Sequence, residues 1–178
     1  MSQQNEQFDE IFDVLVVGSG CGGLTAALTA DIAAPAKVLV IEKSHLIGGT
    51  SATSGGVIWI PDNHLGKEKG AEDSIAEAKQ YLQATIPEDE FNEPLIDTYL
   101  DQGPKMVKFM EDNTDARYTS LEHYPDYFQD APGVKLGNRA LEPLPVSADT
   151  LDDDVDNLHP SGPQTIVFGR YGVNFEES

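Results

Sequence analysis

The residues best suited to chemistry cluster between positions 18 and 56. Gly18-Ser19-Gly20-Cys21-Gly22-Gly23 follows the apolar run Val14-Leu15-Val16-Val17 and leads straight into Leu24-Thr25-Ala26-Ala27-Leu28-Thr29-Ala30. The first run predicts a strand buried on both faces of a parallel sheet, and the second predicts a helix. Gly18 permits the tight strand-to-helix turn, Gly20 lets backbone approach a ligand, and Gly23 lets helix and strand pack closely. The helix start then offers N–H groups and a positive dipole end to a pyrophosphate. A second predicted strand, Lys37-Val38-Leu39-Val40-Ile41, ends at Glu42-Lys43, and Glu42 stands nineteen residues after Gly23. A carboxylate at that place accepts hydrogen bonds from the ribose of a dinucleotide, and it repels a 2′-phosphate.

Nine residues, Gly48 to Gly56, are only glycine, alanine, serine and threonine. They cannot form a core. Bare backbone and short donors suit a segment wrapped closely around a large polar ligand. Val57-Ile58-Trp59-Ile60 follows at once and pins the segment to apolar packing, which a free linker would lack.

The elements that must position these groups continue past Pro61. Ser74 and Glu77 form a capping box for a helix with Ile75, Ala78, Leu82 and Ile86 on one face, ended by Pro87. Asn92-Glu93-Pro94 starts a second helix carrying Leu95, Ile96, Tyr99 and Leu100. Gly103-Pro104 is expected to stop it and begin a third with Met106, Val107, Phe109 and Met110. Between these helices and the C-terminal part, Tyr124-Pro125-Asp126-Tyr127-Phe128 shows no regular period. Aromatic rings with polar tips suit the gripping of an apolar ring system and the handling of a proton.

Together, the GSGCGG turn between strand and helix, Glu42-Lys43, the Gly48–Gly56 segment and Ile58-Trp59-Ile60-Pro61 resemble the fumarate reductase/succinate dehydrogenase flavoprotein superfamily. Within it the chain is most similar to the bacterial 3-ketosteroid dehydrogenases of the Δ1 branch. The resemblance runs from about Phe12 to about Glu142 and is most specific from Gly18 to Pro61. It implies an α/β fold, with a Rossmann-like FAD-binding βαβ core and a helical extension, truncated relative to the family. The implied organisation is residues 1–66 as the start of the FAD-binding domain, 67–145 as a helical continuation with the aromatic segment, and 146–178 as an acidic connector. The resemblance further implies FAD, with Gly18, Ser19, Gly20, Gly22 and Gly23 at the pyrophosphate, and Glu42 and Lys43 at the ribose. Gly49, Thr50, Ser51, Ser54, Gly55 and Gly56 would lie along pyrophosphate, ribityl and isoalloxazine.

Succinate dehydrogenases hold FAD covalently through a histidine in a motif like SHTxAAxGG. With the glycine pair set on Gly55-Gly56, that histidine falls at Gly49, and His45 lies four residues too early. The expectation is therefore non-covalent FAD. The family's Pro-Asp-Tyr-aromatic run matches at Tyr127, which would assist a base, itself a second tyrosine beyond Ser178. A 3-ketosteroid dehydrogenase reaction is the first expectation. A fumarate-reductase-like enzyme for small unsaturated acids and a non-catalytic flavin-binding fragment are the alternatives.

Composition narrows the remaining choices. The net charge is −20, and residues 1 to 60 carry six acids and two bases, leaving twenty-five acids and nine bases beyond. Such a field argues against nucleic acid or an anionic membrane as partner. No run approaches the ~18 apolar residues of a membrane span, and no basic and apolar leader opens the chain, so a cytoplasmic location is expected. A single cysteine, Cys21, excludes an internal disulfide. Five aspartates between Asp149 and Asp156 lack the glycine and closing glutamate of a calcium loop, and no metal is expected. One short strand is expected over 164–168, and Phe175 to Ser178 carries no stop signal, as if the chain continued. Nothing in the sequence identifies the electron acceptor.

Overall fold

The computed structural model describes residues 10–161, 166–167 and 171–172. It forms two compact units, one reaching to Thr53 and taking in Asp152–Pro160, the other spanning Ser54–Leu151.

In the first unit, strand β1 (Val14–Val17) runs through helix α1 (Cys21–Ala33) into strand β2 (Val38–Ile41). The strands pair in parallel, Val14 opposite Val38 through Val17 opposite Ile41. Parallel strands cannot be joined by a tight hairpin, and α1 is the crossover they require. The expectation of burial on both faces is corrected: Val16 is buried, but Leu15 is 59% and Val17 77% exposed. With only two strands in this sheet among the described residues, one face of β1 has nothing to pack on. The short helix α2 (Gly49–Thr53) follows. The acidic stretch near the C-terminal end winds into a 3-10 helix, Ala148–Asn157. Beyond it the Ile47 N–H donates to the Asn157 carbonyl at 2.8 Å, and the His159 N–H donates to the Ile47 carbonyl at 2.9 Å.

The second unit is built on an antiparallel sheet in the order β3 (Ile58–Trp59), β5 (Ala140–Pro143), β4 (Tyr118–Ser120). Ile58 faces Leu141 across one ladder, and Ser120 faces Leu141 across the other. Ile60, Val107 and Leu141 form its core, with Ile58, Leu65, Met106 and Tyr118 packed around them. Helix α3 (His64–Glu68) is capped by the Asn63 carboxamide, which accepts from the Gly66 N–H at 2.7 Å. Helix α4 (Ile75–Thr85) begins at Ser74, whose hydroxyl accepts from the Glu77 N–H and donates to the Glu77 carboxylate. Its buried residues are Ala78 and Tyr81, while Ile75 at the edge of the anticipated stripe is exposed.

The anticipated break at Gly103-Pro104 does not occur. Helix α5 runs unbroken from Glu93 to Asn113 with Pro104 inside it. Its buried residues, Leu100, Gly103, Val107 and Met110, form one stripe that continues straight through the proline. An interior proline costs about 3 kcal/mol. Burying each large apolar side chain of the stripe contributes about 1.5–3 kcal/mol, so three of them outweigh it. Gly103 faces Ile60, whose Cδ1 would lie 3.3 Å from an added Cβ, so its small size serves close packing, not termination.

Strands β6 (Ile166–Val167) and β7 (Tyr171–Gly172) pair antiparallel. The rest of the strand expected over 164–168, and the terminal Phe175 to Ser178, lie outside the described residues. No helix among the described residues is long and apolar enough to cross a membrane.

Candidate functional site

The glycine turn has the geometry its spacing predicts. Gly18 adopts φ +100°, a left-handed conformation that other residues rarely adopt, and its N–H donates to the Ile41 carbonyl at 2.7 Å. A Cβ on Gly23 would stand 2.0 Å from the Gly18 carbonyl oxygen. Helix α1 therefore starts in direct contact with the end of β1. Its N-cap, Gly20, supplies no side-chain hydrogen bond, and no acid stands in the first turn. An added Cβ at Gly22 would meet nothing within 4 Å. Open backbone, a helix start with no cap from its own N-cap residue and no acid in the first turn fit an anionic pyrophosphate.

Ser19 is the residue whose role could not be read from its type alone. It is 3% exposed and sits at the centre of a relay. Its hydroxyl donates to Glu42 Oε2 at 2.6 Å, its backbone N–H donates to the same oxygen at 3.0 Å, and its hydroxyl oxygen accepts from the Gly48 N–H at 3.0 Å. The Ser44 N–H donates to Glu42 Oε1 at 3.0 Å. The Ser19 hydroxyl above all, then its N–H and that of Ser44, hold the Glu42 carboxyl down at about 2, so it is charged at neutral pH. Ser51 ties the next segment in: its hydroxyl accepts from the Cys21 N–H at 2.9 Å. Gly49 opens α2 with φ +52°, and Thr50 and Lys43 are exposed. Thus Gly18, Ser19, Gly20, Gly22, Gly23, Glu42, Gly49 and Ser51 are drawn together within the first unit.

Ser54, Gly55 and Gly56 belong to the second unit. The Ser54 hydroxyl accepts from the Gly56 N–H at 3.2 Å, and Gly56, at φ +74°, rests against Pro143. Gly55 has open space where a side chain would be.

The same unit contains a cavity of about 330 Å³. Val57 and Trp59 form one wall, Tyr81, Leu82 and Thr85 of α4 another, and the Tyr124–Phe128 loop a third. Tyr127 lines it and is 82% exposed. Behind the wall lies a buried network that neighbouring sequence does not reveal. Arg139, 1% exposed, donates twice to Asp73, from Nε at 2.9 Å and Nη2 at 2.7 Å, and from Nη1 to Asp126 Oδ2 at 2.8 Å. Its guanidinium lies over the rings of Trp59 and Tyr81. Asp126 also accepts from Trp59 Nε1 at 2.7 Å and from the Lys135 N–H at 2.9 Å. Burial pushes the Asp73 carboxyl up, but the Arg139 hydrogen bonds and charge, with the Asp62 and Ser74 N–H groups, outweigh it and hold the carboxyl below its ordinary value. Every charge in this network has a partner, which is the condition for burying one. Trp59 is stacked on Tyr99, whose hydroxyl donates to the Trp59 carbonyl.

Residues 13–148 match the family model described as FAD binding domain. The chain is 40% identical over 161 residues to the 4-oxocyclohexanecarboxylate 2-dehydrogenase of Sinomonas cyclohexanicum, covering 90% of this chain and 28% of that protein. It is 42% identical over 149 residues to the 3-oxosteroid 1-dehydrogenase of Mycolicibacterium smegmatis, covering 84% and 26%. The crystal structure of 3-ketosteroid delta1-dehydrogenase from Sterolibacterium denitrificans in complex with 1,4-androstadiene-3,17-dione matches with a TM-score of 0.85 at 38% identity. That match covers 93% of this chain and 29% of that one. The chain spans about a quarter of the length of the curated relatives it matches. The strand, glycine turn, helix and terminal carboxylate all fall inside the matched range, and the chain belongs to the FAD-binding domain family.

Proposed function

We propose that this chain serves an FAD-dependent dehydrogenase that desaturates a CH–CH bond beside the ketone of a neutral, steroid-like ring. The observation that carries the reading is the aromatic cavity of the second unit, whose lining includes no lysine, arginine or histidine among the described residues. A carboxylate substrate would call for a cation there, whereas an apolar ring calls for aromatic walls. The likeness to 3-oxosteroid 1-dehydrogenases supports the same substrate class. A second reading, a small oxocyclohexane carboxylate, is favoured by the 40% identity to the Sinomonas enzyme, and a lining whose one charged residue is Asp126 argues against it.

The ketone acidifies the neighbouring C–H, so one hydrogen leaves as a proton to a base and the other as hydride, which bound FAD accepts. In the first unit, the α1 start from Gly20 to Gly23 is assigned to the pyrophosphate, Glu42 to the ribose, and Lys43, Gly49, Thr50 and Ser51 to the surrounding contacts. Ser54, Gly55 and Gly56 are assigned to the flavin by the resemblance to flavin-dependent relatives. Tyr127 is assigned to the proton step, its hydroxyl assisting the base. FAD is held without a covalent link, since Gly49 stands where a linking histidine would be.

Two measurements test the reading. Acid denaturation of the flavin-loaded enzyme should release all yellow colour from the chain, and colour that stays attached refutes the non-covalent assignment. The loaded enzyme should desaturate androstenedione-like ketones. Reduction of fumarate with no action on such ketones, or a preference for 4-oxocyclohexanecarboxylate, overturns the steroid reading.

A further inference from the structure

We infer that Asp126 is a positioning residue of the aromatic cavity: its carboxylate ties the Tyr124–Phe128 loop to the Trp59 indole and so fixes how two of the walls stand to each other. This rests on the reading of the cavity as the site of a neutral ring ketone. Asp126 and Trp59 both line the cavity, and they come from segments 67 residues apart in the chain.

The two carboxylate oxygens serve different walls. Oδ1 accepts from Trp59 Nε1 at 2.7 Å and reaches β3. Oδ2 accepts from Arg139 Nη1 at 2.8 Å and from the Lys135 N–H at 2.9 Å. The Asp126 N–H returns a bond to the Lys135 carbonyl at 2.9 Å, so backbone and side chain of the loop are anchored together. The Phe128 N–H donates to the Tyr81 hydroxyl at 3.1 Å and ties the same loop to α4. On the far side the indole lies nearly parallel to the Tyr99 ring, at 5°, with its centroid 5.5 Å from the Arg139 guanidinium.

Stability alone does not call for this acid. Arg139 already has a two-pronged partner in Asp73, at 2.9 and 2.7 Å. Asp126 sets a second buried carboxylate against the same guanidinium, and surplus buried charge is costly. What it supplies is direction. Flat contacts between aromatic rings allow sliding, whereas a hydrogen bond to a carboxylate fixes both distance and angle. Trp59 is held by its faces through Tyr99 and Arg139, and Asp126 fixes it along the ring plane. Tyr127, the next residue, is 82% exposed, so the anchored backbone of Asp126 decides where it stands. Walls fixed before a ring enters spare the cost of ordering them on binding.

The test uses the FAD-loaded full-length enzyme carrying Trp59→Phe, Asp126→Asn or both. Trp59→Phe keeps an aromatic wall and removes only the donor, and Asp126→Asn keeps the shape and removes the charge. Each single variant should raise both KM and the dissociation constant of an androstenedione-like ketone about 10-fold, the range of one hydrogen bond to a charged group. Flavin retention should be unchanged. The double variant should be no worse than the single ones, since both remove the same link. A merely structural role would lower kcat through a smaller folded fraction, leave KM alone, and give effects that multiply; that pattern overturns the inference. With nitrogen-15 in the indole, the Trp59 N–H signal, identified by its loss in Trp59→Phe, should move upfield in Asp126→Asn. A signal that stays in place also overturns it. Should Asp126→Asn fail to fold, the KM of Trp59→Phe decides alone. If no ring ketone binds the unsubstituted enzyme, the cavity reading falls and the inference with it, whereas ketone binding with an unchanged KM in Trp59→Phe overturns the inference only.

Discussion

Ser19 meets Glu42 with both of its donors on a single carboxylate oxygen, the hydroxyl at 2.6 Å and the backbone N–H at 3.0 Å. The acid at the end of β2 is thereby locked to the turn at the end of β1. Its orientation is set before any ribose arrives, so the residue assigned to ribose recognition is also a clasp between two strand ends.

That clasp has a pH signature. The Glu42 carboxyl is lowered from 4.5 to about 2, so its contribution to stability is fully present above 4.5 and is lost as pH falls toward 2. Glu42→Gln removes the ionisation and faces an amide toward Ser19. Its unfolding midpoint should fall less steeply than that of the unsubstituted chain as pH drops from 4.5, as read by thermal melts in a buffer series. Equal slopes would show that the clasp carries no linkage. FAD retention should weaken in the same variant.

Two glycines one residue apart should separate folding from binding. Gly23→Ala drives a Cβ to 2.0 Å from the Gly18 carbonyl and should destabilise by about 3 kcal/mol through backbone clash, read by urea unfolding. Gly22→Ala meets no atom within 4 Å and, inside a helix, should be neutral or stabilise by up to about 1 kcal/mol. Its cost should appear only in FAD affinity, measured by flavin fluorescence on release. Unchanged flavin affinity in Gly22→Ala would remove this face from the binding site.

Arg139→Met leaves the Asp73 and Asp126 carboxylates buried without their cation. Breaking a buried pair in this way costs about 3–5 kcal/mol, which a denaturant titration would show. Asp73 is lowered from 3.8 by this arginine, so the clamp gives its full stability above 3.8 and loses it as pH falls below that value. The variant should therefore be less sensitive to acid. A loss under 1 kcal/mol would mean that water reaches the cluster and replaces the arginine.

Tyr127→Phe removes one exposed hydroxyl. Folding and flavin retention should be untouched, and turnover should fall ~10²-fold or more if the hydroxyl assists proton transfer. Steady-state kinetics on an androstenedione-like ketone decide it. Turnover within about twofold would make Tyr127 a packing residue.

Local chemistry was legible in the sequence, and distant pairing was not. The β1–turn–α1–β2 unit, the Ser74 cap and the placing of Glu42 all follow from patterns a few residues long. Gly103-Pro104 misled because a helix stop signal is also local, while the stripe that overrides it is set by Ile60, more than forty residues away. Arg139 carries no motif at all. Its partners Asp73 and Asp126 lie 66 and 13 residues upstream, and only the fold brings them together. The resemblance puts Ser19 among the residues expected at the pyrophosphate, but its bonds to Glu42 and Gly48 come from the parallel pairing of β1 with β2.

The open face of β1 has a colloidal consequence. Leu15 and Val17 project from the same side of a strand in a sheet that has two strands among the described residues, an apolar strip that parallel sheets ordinarily keep covered. An exposed strip of this kind is adhesive, whereas a chain charge of −20 keeps copies apart. Those two forces differ in range: salt screens the repulsion beyond about 10 Å at 0.1 M and leaves the apolar attraction intact. This polypeptide in dilute buffer should therefore remain dispersed, bind a hydrophobic dye, and scatter more light as sodium chloride is raised, with Val17→Lys restoring clarity.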